Sequence, residues 1–78
     1  MRKNTTSIYD SWKNGKVKKG KSISTDGNYI FSYATKIISH DEGVITLNTR
    51  KYSNTTSRQQ SDLRKLLKFD NIQFVEQH

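Results

Sequence analysis

The chain has 78 residues, with no cysteine and no proline, and carries 14 Lys and Arg against 7 Asp and Glu, a formal net charge of +7. This length allows one domain, with the ordered core expected over about residues 6–75, and excludes a second catalytic lobe. The lack of cysteine excludes disulfides, thiolate metal sites and a cysteine nucleophile. No apolar run approaches the ~20 residues that span a bilayer, so we expect no membrane contact.

The N-terminal segment is typical of a short helix. Hydroxyl residues at 5–7 supply an N-cap, and Ile8 and Trp12 recur at the spacing of one helical face. This pattern predicts a helix over about residues 7–14. The glycine-bounded lysine segment 16–21 is predicted to be a polar loop.

The middle of the chain is rich in aromatic and β-branched residues, which favour strands. We expect either two strands, over about 29–34 and 36–39, or one long bent strand. Residues 40–43 form a compact hairpin connection that ends in glycine. In the strand that follows, Ile45 and Leu47 alternate with more polar residues and so share one face.

A second helix is predicted over about residues 58–68. Ser57 and Gln60 have the spacing of a capping box. Three leucines recur at helical spacing and form an apolar stripe: Leu63, Leu66 and Leu67. The tail at 72–75 is predicted to be an edge strand or a segment packed on the core. Together these elements predict an α+β domain in which two helices flank a small antiparallel sheet of about three strands, with one sheet face left in water.

Four short motifs, in this order, resemble a family of small uncharacterised domains of phages and other mobile elements. They are Ser11-Trp12 with Gly15, Thr25-Asp26-Gly27, Ser32-Tyr33 followed by Ile37, and Tyr52-Ser53 with Thr55-Thr56-Ser57-Arg58. The resemblance covers about residues 11–64 and implies a viral or mobile-element origin, and hence the host cytoplasm as the compartment. It brings no activity with it. Many members have histidine after that arginine, where this chain has Gln59.

The start of the predicted second helix is the first candidate site. Free amides at a helix N-terminus, neighbouring hydroxyls and an arginine suit an oxyanion or a nucleic-acid phosphate; the residues are Thr55, Thr56, Ser57 and Arg58. The alternative is ordinary helix capping by Ser57.

A basic face is the second candidate. Residues 12–21 hold five lysines and no acid, and residues 50–68 hold six basic residues against Asp62 alone. Such segments attract polyanions, although a solvated surface is the simpler interpretation. The cations that we expect to follow a phosphate backbone are Lys16, Lys18, Lys19, Lys21, Arg58, Arg64, Lys65 and Lys68.

The aromatic residues Tyr29, Phe31 and Tyr33 alternate and so share one strand face. Beside lysines, such a row could stack unpaired bases. A domain this small needs its aromatic side chains inside, however, so we expect these residues and Trp12 to lie in the core.

Catalysis is not expected. His40, Asp41 and Glu42 are titratable, but they sit together at a predicted hairpin tip, where no pocket enforces geometry. The sequence therefore predicts neither an enzyme nor a metal or cofactor site.

Charge and size together predict a small protein that binds DNA or RNA phosphates with little sequence readout. The alternative is an inhibitor that docks on an acidic surface of a host defence or transcription protein. A homodimer through a strand edge, at 48–52 or 72–75, stays an alternative to a monomer.

Overall fold

A computed structural model describes residues 3–77, which form two helices on one face of a six-stranded sheet. In chain order the elements are α1 (Lys3–Lys13), β1 (Lys18–Lys19), β2 (Ile23–Thr25), β3 (Ile30–Ser32), β4 (Thr35–Asp41), β5 (Val44–Asn48), α2 (Asn54–Phe69) and β6 (Val75–Gln77). Neighbouring strands follow the chain from β1 to β6, and all pairs are antiparallel except β5 with β6. The α+β class is confirmed. The expected three strands were too few, because β1 lies in the predicted lysine loop and β2 lies in residues 23–25, where no strand was predicted.

The first helix begins earlier than predicted. Thr5 lies inside α1 with its side chain buried, so the hydroxyl residues before Ile8 are helical and do not cap the helix. The C-terminal end is as expected: Gly15 adopts φ +68, and its amide donates to the carbonyl oxygen of Trp12 at 3.1 Å. Glycine is favoured there because other residues pay for a left-handed backbone.

The second helix also begins earlier than predicted, at Asn54, directly after the hydroxyl residue Ser53. The Ser53 side chain accepts from the Thr56 amide at 3.2 Å and is the N-cap. The prediction that Ser57 caps the helix with Gln60 is therefore wrong. The amide of Ser57 already donates within the helix, to the Ser53 carbonyl oxygen at 2.9 Å. At the other end, Asn71 takes the left-handed conformation, φ +58, that follows many helices.

Two tight hairpins set the register of the central strands. Between β4 and β5, Glu42 and Gly43 have φ values of +50 and +81, as a two-residue type I′ turn requires, so the predicted hairpin is confirmed. Between β3 and β4, Tyr33 and Ala34 form a second two-residue connection, with Tyr33 at φ +56. The central segment is thus two strands and not one bent strand.

A β-bulge lies in β4. Ile30 pairs with Ile38, and Phe31 pairs with Lys36, so Ile37 is an extra residue on the β4 side. An extra residue breaks the alternation of side chains across a strand. Ile37 and Ile38 are consecutive, yet both are fully buried in the core.

The core lies between the helices and one sheet face. Its members come from both helices and from the four central strands: Ile8, Tyr9, Trp12, Ile23, Ile30, Ile37, Ile38, Leu47, Leu63 and Leu67. The expected places of Trp12 and of the leucine stripe are confirmed, with Leu66 packed at the edge. The expected core position of Tyr29, Phe31 and Tyr33 is wrong. Ile30 takes the inward side of β3, so Phe31 faces outward.

A carboxylate joins the ends of the two helices. Asp70 accepts hydrogen bonds from the Tyr9 hydroxyl at 2.7 Å and from the Lys13 ammonium at 2.8 Å. The Lys13 and Tyr9 bonds lower the pKa of Asp70. Burial and the nearby Asp70 raise the pKa of Tyr9, so its hydroxyl stays protonated and donates.

This contact predicts an acid-sensitive stability. Because the pKa of Asp70 is lower in the folded state, its contribution is present above the unfolded pKa of about 3.9 and is lost as pH falls through the folded pKa. We expect Asp70→Asn to lower stability at pH 7 and to flatten its decline below about pH 4. Urea unfolding at pH 7 and pH 3 measures both effects, and Glu42→Gln, at an exposed turn position, controls for net charge. Equal declines in Asp70→Asn and the parent protein would contradict the assignment.

Candidate functional site

The sheet face opposite the helices is uncovered and carries a row of side chains that crosses the strands. Lys19 pairs with Ser24, Ser24 with Phe31, and Phe31 with Lys36. Directly paired residues share a sheet face, so these four side chains stand in one line on the outer face. The row begins and ends with an exposed lysine. We call this surface the open sheet face.

A shallow groove continues the open sheet face over β4, β5 and β6. It has a volume of about 240 Å³ and is lined by Lys36, Ser39, Thr46, Asn48, Arg50, Tyr52 and Gln77. Thr46 and Asn48 point outward because Leu47 between them is buried, as the alternation of this strand predicted. The groove is smaller than the roughly 300–1,000 Å³ of most small-molecule sites, and its lining is polar and basic.

Asn48 organises one wall of the groove. Its side-chain amide donates to the Lys36 carbonyl oxygen at 3.1 Å and to the Tyr52 hydroxyl at 2.9 Å. Its side-chain oxygen accepts from the Arg50 amide at 2.9 Å. From the helix side, the Gln60 amide donates to the carbonyl oxygens of Asn48 and Arg50 at 2.7 and 2.9 Å. The segment that carries Arg50 and Tyr52 is therefore held on both sides.

Two aromatic side chains lie beside the groove. Tyr29 and Phe31 meet edge to face, with ring centroids 6.2 Å apart and an interplanar angle of 68°. The Lys36 ammonium lies over the Tyr29 ring, 4.1 Å from its centroid, in a cation–π contact. Both rings are half-buried and lie outside the core cluster.

The charge of the open sheet face is mainly positive. Lys19, Lys36 and Arg50 are all exposed. One acid, Asp26, is close enough to interact with the charge of Lys36, and its carboxylate accepts from the amides of Asn28 and Tyr29 at 2.9 Å each. Those bonds, and to a smaller extent the charge of Lys36, lower the pKa of Asp26. Asp26 therefore serves mainly as a hydrogen-bond acceptor for backbone amides of the turn, and its carboxylate forms no ion pair with Arg50 or Lys19.

The predicted lysine loop is partly a strand, and its side chains diverge. Lys18 and Lys19 form β1 at the sheet edge. Lys18 pairs with inward-facing Thr25 and donates to the Ser7 hydroxyl of α1, whereas Lys19 pairs with outward-facing Ser24. Lys16 and Lys21 flank the strand and are exposed. Of the four lysines, register places Lys19 on the open sheet face.

The candidate residues of α2 separate in the same way. Thr56 is buried, and its hydroxyl lies 2.9 Å from that of Ser32, so it faces the core and not an external anion. Thr55 and Ser57 are half-buried. Arg64 forms an ion pair with Glu76 at 2.5 Å. The remaining cations are exposed on the side of α2 that faces away from the sheet: Arg58, Lys65 and Lys68.

The predicted basic face is therefore divided between opposite sides of the domain. Sequence reasoning missed the groove residues, since Lys36 is isolated in the chain and the contribution of Arg50 and Tyr52 depends on strand register. Two signals pointed to this face: the outward alternation of Thr46 and Asn48, and the alternation of Tyr29 with Phe31.

Neither a metal-holding cluster nor a membrane-spanning helix is found in the described part of the chain. Within residues 3–77, no group of three or more His, Asp or Glu side chains is arranged to hold a metal ion. His40 and Glu42 are exposed at the β4–β5 turn. Neither α1 nor α2 has the length and hydrophobicity of a membrane-spanning helix.

The fold and site define a two-layer α+β domain in which one sheet face is packed by helices and the other presents a basic, aromatic-bordered groove. The chain belongs to DUF8033, a family of unknown function, which it matches over residues 1–73. No curated protein matches the chain, and no solved structure matches it.

Proposed function

We propose that the protein binds nucleic acid through phosphate contacts on the open sheet face, with little sequence readout and without catalysis. The observation that carries the proposal is the placement of Lys19, Lys36 and Arg50 on a sheet face that no helix covers. Lysine and arginine contacts to phosphate supply most of the affinity of non-specific nucleic-acid binding. The formal charge of +7 adds long-range attraction to a polyanion.

The open sheet face suits a chain of phosphates better than the exposed side of α2 does. On the sheet, Lys36 and Arg50 line one groove, and the hydrogen bonds of Asn48 and Gln60 hold the backbone around Arg50 in place. Such pre-organisation lowers the cost of ordering side chains on binding. On α2, Arg64 is already neutralised by Glu76.

A charge-matched pair of variants tests this assignment. The first, Lys19→Ala/Lys36→Ala/Arg50→Ala, removes three cations from the open sheet face. The second, Arg58→Ala/Lys65→Ala/Lys68→Ala, also removes two lysines and one arginine, but from the outer side of α2. All six side chains are exposed, so both variants should fold, and thermal melting checks this.

We expect only the sheet variant to lose affinity strongly. The slope of log K against log salt is negative, and each lost phosphate contact reduces its magnitude by about 0.7 for single strands. Three lost contacts therefore reduce the magnitude by about 2. Fluorescence anisotropy with labelled oligonucleotides over a salt series gives affinity and slope. Equal losses in the two variants would mean a diffuse charge effect, and a larger loss in the α2 variant would move the site to the helix.

The inhibitor alternative is an outcome of a second experiment. Tagged, nuclease-treated protein is incubated with host extract, and the bound material is identified. A stoichiometric acidic protein retained by the parent protein, together with no oligonucleotide binding at physiological salt, would replace the nucleic-acid proposal.

The resemblance noted in the sequence supports a phage or mobile-element origin, and the proposed site of action is then the host cytoplasm. Binding to host nucleic acid provides a role there for a small protein without catalytic groups. Detection of the gene within integrated or virion DNA would test this origin.

A further inference from the structure

The open sheet face differs from the other basic surfaces in carrying aromatic side chains next to cations. Phe31 stands between Ser24 and Lys36 in the cross-strand row, and Tyr29 lies against it. In contrast, the exposed side of α2 has its aromatic residue, Phe69, at the C-terminal end of the helix, 85% exposed. A duplex presents phosphates to such cations but keeps its base faces stacked, so aromatic side chains add nothing to a duplex backbone contact.

The Tyr29 and Phe31 rings differ in how much of each ring face is free to contact a ligand. One face of the Tyr29 ring is occupied by the Lys36 ammonium at 4.1 Å. Phe31 has no such cation over its ring among the described residues, and it lies on the outer face with the core behind the sheet. Phe31 is therefore the ring available to a planar ligand, and Tyr29 supports it from the side.

Tyr52 is a further aromatic residue, and it lines the groove on the other side of Lys36 from Phe31. Tyr52 is 41% exposed, and its hydroxyl accepts the Asn48 amide, which orients the ring. Because Lys36 lines the groove and also pairs with Phe31, Lys36 lies between Phe31 and Tyr52 along the open sheet face. Alternation of stacking surfaces and cations is what a polynucleotide with unpaired bases needs.

The groove floor adds polar groups without partners. The hydroxyls of Ser39 and Thr46, a directly paired couple on the outer face, make no hydrogen bond to another residue of the described chain. Half-buried hydroxyls in such a position can donate hydrogen bonds to phosphate oxygens.

We infer that the nucleic acid bound on the open sheet face is a single strand, with one base stacked on Phe31 and the adjoining phosphates on Lys36 and Arg50. The inference rests on the proposed function and names its substrate class. The contacts involve the base face and the phosphate and leave the 2′-hydroxyl aside, so oligo(dT) and oligo(U) should bind with similar affinity. A second base on Tyr52 follows from the same arrangement.

The decisive variant is Phe31→Leu, which keeps apolar volume but removes the aromatic ring. Phe69→Leu is the matched control, because it makes the same change at a more exposed ring on the helix layer. Affinities are measured for oligo(dT), oligo(U) and a mixed-sequence duplex of the same length. Thermal melting of each variant checks the fold, and Phe31→Tyr tests rescue by another ring.

We expect the parent protein to prefer single strands over duplex by at least about tenfold. Phe31→Leu should lower single-strand affinity about 5-fold to 150-fold, as the loss of one stacked base implies. It should leave duplex affinity and the salt slope unchanged. Phe31→Tyr and Phe69→Leu should bind as the parent protein does.

Other outcomes separate the two proposals. Equal binding of duplex and single strands, with no effect of Phe31→Leu but a loss in the Lys19/Lys36/Arg50 variant, would overturn the stacking inference and leave the proposed function standing. No binding of any oligonucleotide at physiological salt would overturn both. A preference above tenfold between oligo(dT) and oligo(U) would show that the 2′-hydroxyl or the thymine methyl group is read, and would contradict binding through the base face and the phosphates alone.

Discussion

Replacing either Ile37 or Ile38 by alanine is expected to destabilise the protein by about 2–5 kcal/mol, the usual cost of truncating a buried isoleucine. Both side chains are fully buried in the core, although they are neighbours in one strand. The β-bulge opposite Ile30 and Phe31 is the cause, since the extra residue turns two consecutive side chains to the same face. A regular strand would bury only one of them. Urea unfolding followed by circular dichroism measures both losses.

The flanking residues of β4 supply the controls. Lys36 is exposed and Ser39 is half-buried, and both lie on the open sheet face. Lys36→Ala and Ser39→Ala are therefore expected to change stability by no more than about 0.5 kcal/mol. If Ile37→Ala or Ile38→Ala proved as mild as these controls, the strand would be regular and the register of β3 with β4 would have to shift.

The sequence pattern misassigned the aromatic residues to the core. Alternation predicted that Tyr29, Phe31 and Tyr33 share a face, and a thin core made burial the expected result. In the structure β3 directs Ile30 inward, while Tyr33 sits in the hairpin with φ +56. The core is filled with isoleucine and leucine instead, because the bulge adds Ile37 to it. No local pattern in the sequence reports an inserted residue.

The long, periodic elements were predictable, and the short ones were not. The leucine stripe of α2 and the glycine-ended hairpin at residues 40–43 follow from strong local signals, and the structure confirms both. β1 has two residues, both exposed lysines, so it shows no hydrophobic alternation. It exists because Gly20 closes a turn onto Ile23, whose carbonyl oxygen accepts its amide at 2.8 Å. That bond depends on chain geometry that composition does not reveal.

The basic character of the candidate site could be predicted from the sequence, but its location could not. Counting charges indicated a polyanion-binding protein and located two basic segments, yet grouping them into one face required the sheet register. Lys36 is a single cation in its part of the chain, and only its pairing with Phe31 places it in the same cross-strand row as Lys19 and beside the groove. The α2 cations, in contrast, were predicted correctly as an exposed stripe, but α2 lies on the other side of the sheet.

A buried chain of hydrogen-bonded side chains beneath α2 is expected to contribute strongly to the stability of the fold. The Gln59 amide donates to the Ser22 hydroxyl at 2.8 Å, and its oxygen accepts from the Ser32 hydroxyl at 2.6 Å. Ser32 in turn lies 2.9 Å from the Thr56 hydroxyl, so the chain joins the bend before β2 to β3 and α2. Gln59, Ser32 and Thr56 are each at most 3% exposed. Water cannot readily replace a lost partner at such positions, so each member depends on the others.

Gln59→Leu is therefore expected to cost about 1–3 kcal/mol, because it leaves buried hydroxyls with fewer partners. Gln60→Leu is the matched control: its carbonyl partners belong to the solvent-facing segment around Arg50, so about 0.5–1.5 kcal/mol is expected. Gln59→His keeps a donor and an acceptor and should cost less than Gln59→Leu.

A double-mutant cycle with Ser32→Ala isolates the buried contact. If Gln59 and Ser32 depend on each other, Ser32→Ala costs less in the Gln59→Leu background than alone, and the coupling is about 0.5–3 kcal/mol. Urea unfolding of the four proteins gives this coupling directly. Additive losses would mean that the two side chains act independently, and the polar chain would then not join α2 to the sheet.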